Sequence, residues 1–167
     1  MRPLTILAAT LSLAAALALA PPAQADTITD MAPREGWVVI GSDKSYETLI
    51  ADVKAAAKAN KMGIVTEAGP TGVAANRGVE IPGNRVIGIF NNVFAVDILR
   101  LSTAAMIEAP IRIYVTEDTD GTATLSYKTP STVFAPYMEE AGAGLRDAAA
   151  QLDAIFATIG EIAAAGG

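Results

Sequence analysis

Residues 110–128, PIRIYVTEDTDGTATLSYK, carry the strongest structural signal in the chain. Apolar and polar side chains alternate after Pro110, which is typical of a β-strand with one buried face and one solvated face. The apolar positions of this strand are Ile111, Ile113 and Val115. The segment Asp118–Gly121 then predicts a tight hairpin turn, because glycine tolerates the positive φ that such turns require.

The strand that returns from this hairpin is predicted over Thr122–Lys128. It buries one of its two alternating sets of side chains, and the sequence leaves open which one. One set is Ala123, Leu125 and Tyr127, and the other is formed by the residues between them. Because a hairpin pairs its strands antiparallel, this region favours an α+β fold over a doubly wound parallel sheet.

Working outward from the hairpin, the other elements follow from periodicity and from capping signals. Ser45 is predicted to cap the first helix, with Glu47 favoured by the helix dipole. Gly63 is predicted to take the positive-φ position just past the end of that helix. The remaining predicted elements are strands over 37–40, 64–67 and 85–90, a short helix over 70–75, a helix over 93–101, an irregular link over 130–136 and an amphipathic helix over 145–162.

These elements give the order β-α-β-(α)-β-α-β-β-α. We expect a single α+β domain over residues 36–165, with a curved, mainly antiparallel sheet packed by helices. A chain of 167 residues is long enough to form one such core without disulfides. The apolar stripe of the last helix either covers this sheet or docks another exported protein.

The amino-acid composition removes several classes of function. The chain has no Cys and no His, so Cys- or His-ligated zinc sites, disulfides, c-type haem attachment and Cys or His nucleophiles are excluded. A net charge of −6 disfavours a nucleic-acid partner. The Asp118–Gly121 turn starts like a calcium loop but has Thr129 where an EF-hand needs Glu. We therefore predict no metal and no cofactor.

The first residues are predicted to be a secretory signal peptide over 1–25. Arg2 supplies positive charge, Leu4–Ala20 is apolar, and Ala23-Gln24-Ala25 matches a signal-peptidase site. Cleavage after Ala25 leaves a flexible leader over 26–35. The sequence thus predicts a periplasmic or secreted protein that does not stay in the membrane.

A set of short motifs also occurs in a defined order along the chain. It comprises the first strand and helix up to Met62-Gly63, then Arg85–Asn92, Ala109-Pro110 with Ile111–Glu117, Asp120-Gly121 and Ser126–Pro130. In this order the stretch from Gly36 to Tyr137 resembles the family called domain of unknown function 302. The resemblance implies a small α+β domain similar to the TATA-binding-protein-like fold, and a homodimer. It implies no reaction.

Three positions depart from the pattern of that family. Many members have Asn-Pro where this chain has Asn91-Asn92, and many have Cys where this chain has Ile111. Others have an Asp-His pair where this chain has Gly69-Pro70. A chemistry that depends on that Cys or His is closed to this chain, which favours binding over catalysis.

Two groups of polar residues are candidates for a ligand site. One group follows the third predicted strand, at a strand-to-helix junction where amides often meet ligands. The other lies on the solvated side of the last two strands. Together the candidate ligand-binding residues are Asn91, Asn92, Asp97, Arg112, Tyr114 and Lys128. Each also has a structural interpretation, as a helix cap or as a charge on a solvated sheet face.

The first hypothesis is an exported, dimeric binding or accessory protein that holds a small amphipathic or anionic molecule, or a partner protein, on its sheet. The alternative is a cofactor-free exported enzyme of isomerase or hydrolase type. It would use Asp97 or Tyr114 as general base and Lys128 or Arg112 as electrostatic stabiliser. No catalytic residue is assigned under the first hypothesis.

Overall fold

The computed structural model describes residues 28–165. The predicted signal peptide, with its cleavage site, and the start of the predicted leader lie outside the described residues. The strands are β1 (Trp37–Ser42), β2 (Gly63–Ala68), β3 (Asn84–Phe90), β4 (Ile111–Glu117) and β5 (Ala123–Lys128). The helices are α1 (Tyr46–Ala59), α2 (Thr71–Asn76), α3 (Asn92–Leu101), α4 (Pro130–Phe134) and α5 (Met138–Ala164), with 3₁₀ turns at Ala105–Glu108 and Ala135–Tyr137.

The strands form one open sheet in the order β1-β5-β4-β3-β2. Every neighbouring pair is antiparallel. The predicted α+β class and the predicted antiparallel sheet are therefore confirmed. Over residues 28–165, no helix has the length and apolar character that a membrane crossing requires.

The predicted hairpin joins β4 to β5. Gly121 has a φ of +85°, and the Asp118 amide donates a hydrogen bond of 2.9 Å to the Thr122 carbonyl. Both sets of β5 are buried, since Thr124 and Ser126 are 7% and 1% exposed, and the odd-numbered set is the one that belongs to the hydrophobic core. Its members Ala123, Leu125 and Tyr127 are at most 2% exposed.

The hydrophobic core lies between one face of the sheet and the two long helices α1 and α5. Phe156 of α5 is fully buried, and its ring centroid lies 5.5 Å from that of Tyr127. Gly160 of α5 lies so close to Ile40 and Leu125 that a side chain there would touch both. The apolar stripe of α5 thus covers the protein's own sheet, as the first of the two interpretations of this helix expected.

Two local predictions are wrong. The positive φ after α1, +59°, belongs to Lys61, and Gly63 instead begins β2. The link over 130–136 is not irregular but contains α4, whose start is capped by the Thr129 side chain with Pro130 in its first turn. Proline at that position and a Thr cap are helix-start signals.

Residues 28–36, which include most of the predicted leader, run beside the β4–β5 hairpin. The Asp30 carboxylate accepts hydrogen bonds from the Thr119 amide at 2.8 Å and from its hydroxyl at 3.0 Å. The chain then turns into β1 at Gly36, where φ is +73°. The described part of the leader is thereby held near the face of the sheet that α1 and α5 do not occupy.

Candidate functional site

The face of the sheet that points away from α1 and α5 is called the open face here. Alternate residues of a strand point to opposite faces. Because the odd-numbered residues of β4 and β5 are buried in the core, the even-numbered ones belong to the open face. These include Arg112, Tyr114, Ser126 and Lys128.

The open face forms a concavity of about 520 Å³. This volume lies in the range of small-molecule sites, about 300–1,000 Å³. The 3₁₀ turn that ends at Glu108, together with Val133 of α4, contributes to its rim. Its main lining side chains are Trp37, Asn84, Val86, Glu108, Arg112, Tyr114, Ser126 and Lys128.

Strand register arranges these side chains in two rows across the sheet. Trp37 lies opposite Lys128, and Tyr114 lies opposite Ser126. Continuing the β4–β5 register by two residues places Arg112 opposite Lys128. We call Trp37, Lys128 and Arg112 the cation row. The neighbouring tyrosine row consists of Val39, Ser126, Tyr114 and Val86.

The cation row concentrates positive charge in a chain whose net charge is −6. Within residues 28–165, neither Arg112 nor Lys128 forms a salt bridge. The Lys128 ammonium lies 5.6 Å from the centroid of the Trp37 ring, and the Arg34 guanidinium lies 5.3 Å from it. The cation row thus presents two cations without salt-bridge partners, beside an aromatic ring, to the concavity.

One carboxylate also faces the concavity, that of Glu108. The Tyr137 hydroxyl donates to its Oε1 atom a hydrogen bond of 2.8 Å. This bond to Glu108 raises the pKa of Tyr137, so the phenol stays protonated at neutral pH. The Glu108 carboxylate is thus already hydrogen-bonded to a neighbouring side chain of the protein, Tyr137.

Tyr114 lies in the centre of the tyrosine row and is half-buried. Burial raises its pKa, and the nearby Tyr46 phenol raises it further. At neutral pH the Tyr114 hydroxyl is therefore protonated and acts as a hydrogen-bond donor or acceptor rather than as a general base.

Ser126 has an unusual environment for a polar side chain. It is only 1% exposed, and its hydroxyl has no hydrogen-bond partner among the described residues. Buried polar groups in folded proteins are nearly always hydrogen-bonded, so an exception calls for an explanation. Ser126 thus brings a buried hydroxyl without a hydrogen-bond partner to the lining of the concavity.

The structure separates the candidate residues at the strand-to-helix junction from this concavity. Asn91 caps α3, since its Oδ1 accepts from the amides of Val93 at 2.9 Å and Phe94 at 3.3 Å. Its amide nitrogen donates to the Lys61 carbonyl at 3.0 Å. Asn91 thus fills the structural role that the sequence offered as its other interpretation.

The other two junction residues also lie away from the lining of the concavity. Asn92 is exposed at the start of α3. The Asp97 side chain is 56% exposed and lies 3.6 Å from the Arg100 guanidinium, one turn along the helix. The junction follows the end of β3 that pairs with Gly63 of the outer strand β2, whereas the concavity lies over β1, β5, β4 and the start of β3.

Of the eight main lining residues, sequence reasoning missed five: Trp37, Asn84, Val86, Glu108 and Ser126. Strand alternation offered a signal for Ser126, because it shares a side with Lys128. Trp37 and Val86 could be placed in the site only from the strand pairing register, which connects distant parts of the chain. Glu108 had no signal, since a 3₁₀ turn between α3 and β4 brings it to the rim.

The described residues hold no group of three or more His, Cys, Asp or Glu placed to bind a metal ion. The cations, aromatic rings and hydroxyls of the concavity are instead suited to an organic anion. Cations and hydroxyls bind its charged group, and aromatic and aliphatic side chains contact its apolar part.

Comparison with known proteins agrees with this architecture. The sequence model of the family described as "Domain of unknown function DUF302" matches residues 38–159. The fold is similar to the crystal structure of an uncharacterized conserved DUF302 protein from Bacillus stearothermophilus, with a TM-score of 0.69 and 13% sequence identity. The match covers 78% of this chain and 99% of that chain, and at this identity it supports the fold alone. No curated protein matches the sequence.

Proposed function

The chain belongs to the DUF302 family, whose description names no activity, and from its site we propose that it is a binding protein for a small amphipathic anion. The ligand occupies the concavity on the open face. The observation that carries this proposal is the cation row, in which Arg112 and Lys128 line one concavity and neither forms a salt bridge within residues 28–165.

The charge arrangement favours an anionic ligand on energetic grounds. In the β4–β5 register continued two residues past Tyr114 and Ser126, Arg112 and Lys128 lie opposite each other, where like charges repel and destabilise the free sheet. A carboxylate or phosphate between Arg112 and Lys128 would turn the repulsion into two charge-assisted hydrogen bonds. Binding of an anion therefore gains free energy from relieving the repulsion between these two cations.

The rest of the concavity favours a ligand with an apolar part. The side chains beside the cations include the Trp37 ring, the Tyr114 ring and Val86. Aromatic rings provide a large apolar contact area with few rotatable bonds, so little conformational entropy is lost on binding. A purely inorganic anion would leave these surfaces in contact with water.

Two further parts of the proposal come from the sequence. The signal-peptide pattern over 1–25 supports export to the periplasm or the exterior, with a mature chain that begins at Asp26. We also propose that the protein is a homodimer, as the family resemblance implies. Size-exclusion chromatography with light scattering of the mature chain measures this state directly.

The enzyme alternative is weakened at its two proposed general bases. Asp97 is separate from the residues that line the concavity, and the raised pKa of Tyr114 makes it a poor base at neutral pH. The acid that does line the concavity, Glu108, accepts a hydrogen bond from Tyr137. Binding is therefore the function that the geometry supports best.

The experiment is native mass spectrometry of the mature protein purified from its own exported fraction. We expect an additional mass on the wild type that is lost when Arg112→Ala and Lys128→Ala are combined. The matched control combines Arg77→Ala with Lys58→Ala, which removes the same charge from exposed positions outside the concavity. Loss of the ligand from both double variants, or a ligand-free wild type, would contradict the proposal.

A further inference from the structure

We infer that the ligand is a planar aromatic acid with a hydroxyl or carbonyl oxygen about 7 Å from its acidic group, and that Ser126 recognises this oxygen. The inference rests on the proposed function and specifies the ligand class. It starts from the buried hydroxyl of Ser126, which has no hydrogen-bond partner among the described residues.

Strand alternation places the Ser126 side chain on the open-face side of β5, and Ser126 is among the residues that line the concavity. Its cross-strand neighbours are Val39 on one side and Tyr114 on the other, and Tyr114 lines the concavity with it. A buried hydroxyl without a partner costs the folded state the full desolvation of that group. A ligand that supplies the missing hydrogen bond recovers this cost, and a ligand without a polar atom at that position does not.

Strand geometry sets the distance between the two polar ends of the ligand. Ser126 lies two residues before Lys128 on β5, and one residue of an antiparallel strand spans about 3.4 Å. The cation row and the Ser126 hydroxyl are therefore separated by about 7 Å along the strand. A benzene ring that carries a carboxylate and a para hydroxyl spans a similar distance between its oxygens.

The surfaces between these two ends favour a flat group. Tyr114 occupies the same row as Ser126, and Val86 lies next to Tyr114 on β3. Beyond Arg112 the cation row ends at Gly88, where a side chain would collide with Pro110 and Thr66. The space is thus closed toward β2 and open over β5 and β4, which suits a ring that lies along these two strands.

The leader bounds the site at its other end. Residues 28–34 and the start of β3 enclose a second concavity of about 260 Å³, which shares Asn84 and Tyr114 with the first. A substituent on the far side of the ring would extend toward this space. The core recognition unit remains the acid, the ring and the second oxygen.

The test uses nuclear magnetic resonance, because Trp37 is the only tryptophan of the chain and lines the concavity. The mature protein is titrated with 4-hydroxybenzoate, with benzoate and with trans-4-hydroxycyclohexanecarboxylate while the Trp37 indole N–H signal is followed. We expect 4-hydroxybenzoate to bind about 3- to 10-fold more tightly than benzoate, as one net hydrogen bond provides. The saturated acid should bind more weakly than its aromatic counterpart.

The Ser126→Ala variant decides the role of the hydroxyl. In this variant the preference for 4-hydroxybenzoate over benzoate should fall to about one-fold, since the partner of the second oxygen is gone. Thr103→Ala, which removes a hydroxyl from an exposed position outside the concavity, should keep the preference. Folding of both variants is checked from the same spectra.

Results that overturn the ligand class can be distinguished from results that overturn the proposed binding function. An unchanged preference in Ser126→Ala, equal affinity for the saturated and aromatic acids, or no binding of any of them would overturn the inference on ligand class. The proposed function is judged separately, by whether the ligand mass from the exported protein depends on Arg112 and Lys128. An aliphatic or phosphorylated ligand found there would overturn the inference and retain the function.

Discussion

The two faces of the sheet differ in what their side chains contribute. On the core face, Ile113 and Leu125 are fully buried against the helices. On the open face, one residue further along the same strands, Tyr114 and Ser126 line a concavity and the Ser126 hydroxyl has no partner in the described structure. The comparison indicates that stability is concentrated on one face. The other face keeps features that cost stability and that a ligand can exploit.

The largest expected effect is on the core face. Phe156→Ala removes a fully buried ring that packs on Tyr127, and should lower the free energy of unfolding by about 3–5 kcal/mol. The control Ile107→Ala changes a side chain that is 78% exposed and should stay within about 0.5 kcal/mol. Urea denaturation of the mature chain measures both. A similar loss of unfolding free energy in the two variants would show that stability is not concentrated on the core face.

The second-largest loss of unfolding free energy is expected for the N-cap of α3, because this cap stabilises a single helix. Asn91→Ala removes the side-chain acceptor of two amides at the start of α3 and should cost about 1 kcal/mol of unfolding free energy. Asn92→Ala, one residue later and exposed, should cost much less. Neither variant should change ligand affinity. If Asn91→Ala weakened ligand binding and left stability unchanged, Asn91 would be a ligand-binding residue rather than a helix cap.

The two faces should also respond differently to alkaline pH. Burial, followed by the charges of Asp153 and Glu161, raises the pKa of Tyr127 to about 12, whereas the unfolded phenol ionises near 10. Between these values the folded state binds more protons than the unfolded state, so stability falls as pH rises from about 10 to 12.

Replacing this phenol tests that linkage. Tyr127→Phe should reduce the loss of unfolding free energy above pH of about 10, since no proton remains to be linked. Tyr114→Phe should act in the same direction, because the pKa of Tyr114 is also raised, but to a smaller extent on its half-buried face. Denaturation curves recorded across this range decide the order. A steeper dependence in Tyr127→Phe would contradict the sign.

The sequence predicted most of the fold because the fold depends on local patterns. The hairpin at Gly121 and the capped starts of α1 and α3 follow from turn and capping chemistry within a few residues. The predicted end of α1 was wrong because Lys61 takes the positive φ where propensity favours glycine, and its carbonyl accepts a hydrogen bond from the distant Asn91 side chain. The helix α4 was missed although Thr129 and Pro130 form a helix start, because two prolines in seven residues resemble a loop.

The site was less predictable because it depends on pairing between distant strands. Arg112, Tyr114 and Lys128 lie on two consecutive strands, so alternation alone placed them on one surface. Trp37 reaches the same surface only through the pairing of β1 with β5. The junction residues Asn91, Asn92 and Asp97 were grouped with them because a strand-to-helix junction resembles a ligand site locally. Strand order separates the two regions.

The smallest effect tests the sign of the coupling in the cation row. If Arg112 and Lys128 repel each other across β4 and β5, either Arg112→Gln or Lys128→Gln alone removes the repulsion, and the second change adds nothing. A double-mutant cycle should therefore give a repulsive coupling of about 0.2–1 kcal/mol in unfolding free energy at low salt. The coupling should shrink in about 1 M salt, where charges are screened within a few ångströms.

The cycle separates two accounts of the same residues. Zero or attractive coupling at low salt would mean that the two cations are accommodated as ordinary surface charges, and the cation row would carry no argument for a ligand. Repulsive coupling together with total stability within about 1 kcal/mol of the wild type would mean that the free protein retains an arrangement that its own folding does not favour. An anionic ligand is then the simplest reason for keeping two cations side by side on a face that needs neither of them to fold.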